Sequence, residues 1–180
     1  MQQTLLALAA VLAFSSYALT RHRADADVER RAIDVEVEVM ATGLSQSWMA
    51  QVQQFAFDEE DAESEEGGIR RTAPRSILGP DAGETTDTFD DVDDWDGHRV
   101  RVSLPGPAGD LAFDLAITVE YVTFDASGSG DSAVTPSAVP TLAKRVSVSV
   151  SEVVDGSTQR PPVQTVLRRL VTPTSLAINQ

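Results

Sequence analysis

The spacing of apolar residues over the first part of the chain predicts one long helix. Residues 5–20 carry no charge, and large apolar residues later recur at steps of four, three, four, four and seven. At about 100° per residue these positions fall in one stripe about 80° wide, which is typical of a helix buried along one face. The stripe contains Ile33, Val37, Met40, Leu44, Trp48 and Phe55. We therefore predict a helix from about residue 3 to residue 57.

Two features of this region complicate the helix. Residues 33–39 alternate strictly between apolar and acidic residues and are rich in β-branched side chains, so their pattern also fits a strand. If the region is helical, Val28, Val35 and Val39 lie roughly opposite the stripe. A helix that packs on one sheet does not need a second apolar side, so we expect a second partner there.

The uncharged start of the helix predicts insertion into a membrane. At about 1.5 Å per residue, residues 5–20 cover about 24 Å as a helix, close to a hydrocarbon core of ~30 Å if residues 2–4 lie at the interface. A cleaved secretory signal with Ser-Tyr-Ala at residues 16–18 is an alternative, although no Lys or Arg precedes the apolar run. The third interpretation is a helix buried inside a globular protein. We interpret residues 1–23 as a membrane-inserting start and residues 24–57 as an amphipathic helix.

The next segment is acidic and has few large apolar residues. Residues 58–96 contain fifteen Asp and Glu against three Arg, and they therefore hold most of the chain's net charge of −14. Such a segment does not bury enough apolar surface to offset the entropy lost when it becomes ordered. We predict that residues 58–97 form a solvated acidic loop.

From His98 onward, apolar and polar residues alternate with the period of a β-strand. Four runs show this pattern, at residues 99–104, 111–121, 146–150 and 163–172, with a loop rich in Gly, Ser and Pro at 126–140. An antiparallel meander with one apolar face follows, and that face needs a cover. The predicted fold class is α+β, with a long N-terminal helix packed on a four-stranded antiparallel sheet within residues 98–180.

Composition excludes several classes of function. A net charge of −14 repels the phosphates of nucleic acid, so we expect no nucleic-acid partner. The absence of Cys removes disulfides, thiolate metal sites and cysteine nucleophiles. His22 and His98 are the two histidines, distant in sequence, and no Gly-x-Ser-x-Gly motif occurs. We therefore expect no enzymatic activity.

A dense group of aspartates is the candidate binding site. Five of them occur within seven residues: Asp90, Asp91, Asp93, Asp94 and Asp96. Such a density repels itself unless cations or helix N-termini compensate it, and carboxylate oxygens are the ligands that Ca²⁺ prefers. Two interpretations remain: a structural calcium site formed by these residues, and a solvated acidic turn without metal, because the spacing does not match an EF-hand loop. Phe89 and Trp95 flank the aspartates and are expected to anchor the turn to the sheet by packing.

The predicted architecture and three short stretches resemble type IV pilins. Gln-Val-Gln-Gln-Phe-Ala-Phe-Asp-Glu at residues 51–59 is similar to the helix end of minor pilins. Phe-Asp-Asp-Val-Asp-Asp-Trp-Asp-Gly at residues 89–97 resembles a segment of minor pilins of the mannose-sensitive haemagglutinin pilus type. Ala-Lys-Arg-Val-Ser-Val-Ser-Val at residues 143–150 is similar to a strand of those proteins. That family usually has Glu at the fifth mature position, where this sequence has Leu5, so a minor subunit fits better than a major one.

The resemblance implies a structural or assembly subunit, minor pilin or pseudopilin-like, of a cell-envelope filament or secretion apparatus. Its partners would be other pilin-like subunits, through the N-terminal helix, and the membrane. It would reside in the cell envelope, either as a single-pass inner-membrane protein or in an extracellular filament. No cofactor is expected apart from calcium, if the aspartates form the structural site. The alternative is a membrane-tethered extracytoplasmic binding domain that depends on calcium and does not polymerise.

Overall fold

The computed structural model describes residues 2–57, 78–106, 109–125, 133–154 and 161–173. The chain divides into two units, Met1–Val39 and Met40–Gln180. One helix, α1, runs from Gln2–Val52, so the prediction of a long N-terminal helix is confirmed. Residues 33–39 are helical, and the strand alternative is wrong. Because the chain is helical on both sides, these residues extend the helix at little cost in free energy, whereas a separate strand would need a partner strand.

The helix ends five residues earlier than predicted, at Val52 rather than residue 57. The residues that follow turn away because their backbone pairs with the acidic segment. The N–H of Ala56 donates to the carbonyl of Asp90 at 3.4 Å, and the N–H of Val92 donates to the carbonyl of Ala56 at 2.9 Å. These long-range hydrogen bonds replace the ones that another helical turn would make.

The last turns of α1 are buried along a line displaced from the predicted stripe. Met40, Leu44 and Trp48 are half-buried, each one position before a residue that is fully buried. The fully buried positions are Ala41, Ser45, Met49 and Val52. Ser45 satisfies its hydroxyl locally by donating to the carbonyl of Thr42 at 2.8 Å. The prediction missed this line because it counted only large apolar residues, and two of these positions carry small ones.

The sheet contains five strands among the described residues, one more than predicted. They are β1 (Arg99–Gly106), β2 (Gly109–Phe124), β3 (Val134–Pro136), β4 (Lys144–Val153) and β5 (Gln164–Val171). The order is β1-β2-β4-β5 and all pairs are antiparallel, so the predicted meander and the α+β class are confirmed.

The additional strand lies in the segment predicted as a loop at residues 126–140. β2 is 16 residues long, and β4 pairs with it only as far as Tyr121. The last three residues of β2, from Val122 to Phe124, pair instead with β3. The extra strand therefore supplies hydrogen bonds to a part of β2 that extends beyond its main neighbour.

The sheet has one buried face and one solvent-facing face. Alternate residues of β2 and β4 form the buried face: Phe113, Leu115, Ile117, Val119, Tyr121, Lys144, Val146, Val148 and Val150. The residues between them, together with those in register on β1 and β5, form what we call the outer face: Arg99, Arg101, Asp114, Ala116, Ser147, Ser149, Ser151, Val166 and Arg168. Most side chains on the side of the sheet opposite the core are thus small polar or charged ones.

Candidate functional site

The second half of the predicted acidic loop, residues 78–97, is folded against the core, and we call it the acidic turn. Residues 58–77 of that prediction lie outside the described residues. The turn contains a short 3₁₀ helix, Asp93–Trp95. Three of its aspartates, Asp91, Asp93 and Asp94, are at most 3% exposed, so the prediction of a solvated segment is wrong for them.

Aromatic packing holds the acidic turn in place. Trp95 has no exposed surface, and its ring centroid lies 5.2 Å from that of Phe89, 5.5 Å from Phe55 and 6.0 Å from Trp48. Trp48 lies in the last turns of α1, and Phe55 lies just after the helix ends. Phe89 and Trp95 anchor the turn by packing as predicted, but these aromatic contacts join it to the end of the helix rather than to the sheet. Such aromatic pairs add to the free energy gained from burial alone.

His98 belongs to the same aromatic cluster. Its ring centroid lies 5.3 Å from that of Trp95 and 5.6 Å from that of Trp48. Burial lowers the pKa of His98, so the imidazole is neutral at pH 7. No carboxylate or hydroxyl of the described residues accepts or donates a hydrogen bond at its buried Nε2.

The first group of carboxylates faces a buried lysine. Lys144, on β4, has no exposed surface, and its Nζ contacts both the carboxylate of Asp93 and the carbonyl of Phe57. The same Nζ lies 4.2 Å from the ring centroid of Phe57 and 5.3 Å from that of Tyr121. The ammonium group of Lys144 therefore links the acidic turn, the residues just after α1 and the sheet through charge and cation–π contacts.

The side chain of Asp91 closes the turn by accepting hydrogen bonds from the backbone. Its Oδ1 accepts the N–H groups of Asp93 at 2.6 Å and Asp94 at 3.2 Å. Burial, together with the charges of Asp93 and Asp94, raises the pKa of Asp91 to about 7, and Lys144 and the Asp93 N–H only partly oppose this increase. The fold therefore keeps more negative charge in this region than Lys144 compensates.

A second group of carboxylates lies nearer the surface. Glu84, Asp90 and Asp94 each offer a carboxylate oxygen, and the three oxygens lie within 4.8 Å of one another. Two oxygens that bind the same Ca²⁺ at about 2.3–2.6 Å lie at most about 5 Å apart, so this group has the size of a calcium site. Asp94 is fixed because its Oδ2 accepts the N–H groups of Asp90 at 3.1 Å and Asp91 at 3.3 Å.

Glu84 is held in this group from the other side. The N–H of Asp81 donates to its Oε2 at 2.8 Å. That bond lowers the pKa of Glu84, but desolvation, a hydrogen bond with Asp94 and the charges of Asp94 and Asp90 outweigh it, so the pKa is raised overall. A carboxylate with a raised pKa next to two others favours a proton or a cation.

The five predicted aspartates thus separate into different environments. Asp90 and Asp94 meet with Glu84, Asp93 contacts Lys144, and Asp91 accepts backbone N–H groups. Asp96 accepts the N–H of Val119 at 2.8 Å and ties the turn to β2. Calcium binding stays a prediction, with Glu84 as a member that the spacing of the aspartates did not indicate. Lys144 was also missed, although a charged residue in register with the inward-facing valines of β4 was a visible signal.

A second candidate surface is the exposed apolar part of α1. The most apolar stretch of the helix is long and apolar enough to cross a membrane, and none of it is buried. Its large exposed side chains are Leu6, Leu8, Val11, Leu12, Phe14, Tyr17 and Leu19. Farther along, Val28, Val35 and Val39 are 59–67% exposed. Both apolar surfaces that the sequence predicted therefore lack a cover within this chain's described residues.

Comparison with known proteins supplies no relative. No protein-family model matches the chain, and no curated protein and no solved structure matches it. The resemblance of three short stretches to minor pilins therefore stays a hypothesis. What the molecule itself offers are an exposed apolar helix and a folded acidic turn.

Proposed function

We propose that this protein is a structural or assembly subunit, of the minor-pilin or pseudopilin kind, in a cell-envelope filament or secretion apparatus. The observation that supports this proposal is the uninterrupted helix Gln2–Val52, which is apolar and exposed over its first turns and buried over its last ones. Full burial of a Val, Leu or Phe side chain contributes about 1.5–3 kcal/mol, so such a surface favours an environment that covers it.

A membrane alone does not cover both apolar surfaces of α1. From Leu6 to Val39 the helix extends about 50 Å at about 1.5 Å per residue, whereas the hydrocarbon core is ~30 Å thick. Two arginines and two aspartates lie between the two surfaces, within residues 21–27, and charged side chains in hydrocarbon are costly. Helices of neighbouring subunits cover Val28, Val35 and Val39 as well as the apolar start.

The proposed mechanism uses the same helix twice. Before assembly, the membrane holds the apolar start of α1. After assembly, helices of other subunits surround the start and the valine side together, while the sheet and the acidic turn remain available for display. The function is then burial of a helix and presentation of a folded unit, and it requires no chemical step.

The test replaces the valine side by charge. Val28→Asp, Val35→Asp and Val39→Asp are combined in the full chain, and recovery of the protein in the sheared surface fraction of its own cells is measured. We expect the triple variant to remain in the membrane fraction and to be lost from the surface fraction. The matched control is Ala26→Asp, which adds a carboxylate about 160° around the helix from Val28, at an exposed position.

Two results would contradict the proposal. The triple variant could enter the surface fraction as the unsubstituted protein does, or Ala26→Asp could be lost from it equally. The first result shows that the valine side has no partner, and the second shows that added charge anywhere on the helix prevents export.

A second candidate function is a membrane-tethered extracytoplasmic binding domain that uses calcium. The grouping of Glu84, Asp90 and Asp94 oxygens within 4.8 Å favours it. This function predicts heat on calorimetric titration with Ca²⁺ and no effect of the triple valine substitution on location. The two candidates are therefore separated by the valine variants, and calcium binding without a valine effect would favour the tethered domain.

A further inference from the structure

The outer face of the sheet forms a trough. The strand register aligns Arg99 of β1, Ala116 of β2, Ser149 of β4 and Val166 of β5 in one row across the sheet. In this row the middle residues Ala116 and Ser149 have small side chains, and Arg99 on β1 has a long one. The trough extends from β1 across β2 to β4, and two strand spacings of about 4.8 Å make it about 10 Å wide.

A concave volume of about 510 Å³ lies on this face. Its lining includes Arg99, Arg101, Asp114, Ala116, Ser149 and Ser151. Ser149 uses its hydroxyl to donate to the carbonyl of Ala116 at 3.1 Å, which keeps that side chain low on the floor. The result is an open groove with a small polar floor and guanidinium groups on one wall.

The two arginines of that wall differ in the hydrogen bonds and ion pairs that their side chains make. Arg101 donates two hydrogen bonds to the carboxylate of Asp114, at 2.7 and 3.0 Å. Arg99 is exposed, and its side chain makes no hydrogen bond or ion pair with any residue of the described part of the chain. A guanidinium presents a planar fork of donors that matches a carboxylate, so Arg99 makes the groove suited to an acidic partner.

The acidic turn of the same chain has the complementary charge but lies on the other side of the sheet. Asp87 and Asp90 are exposed in the turn. The contact of Asp93 with Lys144, whose side chain points to the buried face, fixes the turn on that face. The turn therefore does not reach the groove of its own chain, and a second copy is the nearest source of this carboxylate surface.

We propose that the groove on the outer face binds the acidic turn of a second copy of this chain, with Arg99 paired to Asp87. The two surfaces are different, so the contact is head-to-tail and repeats into an open array unless the rotation closes a ring. This inference rests on the proposed function and deepens it, because it names a second contact between subunits besides the helix.

The test measures self-association of the purified full chain in mild detergent by sedimentation. Association is expected at about 50 mM NaCl and is expected to weaken at about 500 mM, because salt screens exposed charges. Arg99→Glu should weaken it at least about tenfold, as should Asp87→Arg. The double variant R99E/D87R should restore it, because every contact then has reversed charges. The matched control is Arg169→Glu, an exposed arginine of β5 outside the outer face.

Ser151→Trp provides a test without a change of charge. The side chain lies on the groove floor, so a large ring fills the groove and should weaken association while the melting temperature stays close to that of the unsubstituted chain. Association of the R99E chain at full strength, equal loss in the R169E chain, or failure of the double variant to recover would each overturn the inference. So would the absence of any association at low salt.

The valine variant, measured in the same sedimentation experiment, separates this inference from the proposed function. If Val28, Val35 and Val39 can be replaced by Asp without effect but Arg99 cannot, the helix contact fails and the groove contact stands. If only the valine substitutions reduce association, the groove contact fails and the subunit function stands.

Discussion

The acidic turn holds two groups of carboxylates that the fold treats differently. Asp91 and Asp93 are buried beside Lys144, which is fully buried itself. Glu84 is half-buried and Asp90 is exposed. With Asp94 they form a group of carboxylates that is accessible to ions. A buried carboxylate requires a cation built into the protein, because water is absent, whereas a surface group is compensated by solvent or a bound ion.

The largest expected effect comes from removing the built-in cation. Lys144→Met leaves Asp93 buried beside no ammonium group, and the free energy of unfolding should fall by about 3–5 kcal/mol. Thermal unfolding of the full chain in detergent measures this. Because the single variant can fail to fold, the double variant K144M/D93N is measured as well and should be more stable than K144M. Wild-type stability of K144M would contradict the idea that Lys144 compensates the turn.

Calcium should affect the second group. At about ten times its dissociation constant, Ca²⁺ should stabilise the chain by about 1.4 kcal/mol, which raises the melting temperature by about 3–6 °C. Asp90→Asn and Glu84→Gln should each remove this increase. Asp87→Asn, at an exposed carboxylate of the same turn outside the group, is the control and should retain it. An unchanged melting temperature together with no heat of titration would remove calcium from the second group.

The raised pKa of Asp91 predicts a pH effect confined to the first group. Because the pKa is about 7 in the folded chain, above its ordinary value of 3.8, this residue contributes stability at low pH that is lost as the pH rises through 7. Asp91→Asn keeps an oxygen that accepts the N–H groups of Asp93 and Asp94 and removes the charge. The variant should therefore melt about 2–4 °C higher than the unsubstituted chain at about pH 8.

The control for this pH effect is the same comparison in mild acid. Near pH 5 the Asp91 carboxyl of the folded unsubstituted chain is protonated, so the advantage of Asp91→Asn should be clearly smaller than at pH 8, and it should disappear only below about pH 3.8, where the unfolded chain is protonated as well. An equal gain at both pH values would show that packing rather than charge is responsible, and a loss at pH 8 would show that the ionised form is the stable one.

The smallest effect is expected at an ion pair outside both groups. Arg101 and Asp114 form two hydrogen bonds on the outer face, and both side chains are more than half exposed. The pair raises the pKa of Arg101 and lowers that of Asp114. Exposed pairs contribute little to stability, so Arg101→Ala should leave the melting temperature within experimental error. A large decrease would show that the difference in stabilisation between the Lys144–Asp93 pair and this pair does not come from burial.

The elements that were predicted correctly depend on local patterns. The alternation of Val146, Val148 and Val150 with serines indicates β4, and the stripe that includes Leu44 and Trp48 indicates the helix. At residues 33–39 the helix pattern and the strand pattern conflicted, and these residues are helical because long helical segments flank them on both sides. The missed strand β3 is only three residues long and exists because β2 extends beyond β4, which no local pattern shows.

The candidate site was predicted only in part because its members are distant in sequence. The density of aspartates pointed to the right segment, and Phe89 and Trp95 were correctly identified as its anchors. The partnership of Asp93 with Lys144 joins residues that are 51 positions apart, and Glu84 joins the second group through a turn whose path the spacing does not reveal. Charge density alone did not indicate which carboxylates would be buried.

The sequence by itself determined the long helix, its apolar exposed sides, the four main strands and the concentration of acidic charge, since periodicity and composition are properties of neighbouring residues. Only the tertiary structure decided the end of the helix at Val52, the burial of Asp91, Asp93 and Asp94, and the position of Lys144 against them. The physical reason is that hydrogen bonds and charge pairs across the core depend on where distant segments meet, and the free energy of each contact depends on how much water that meeting excludes.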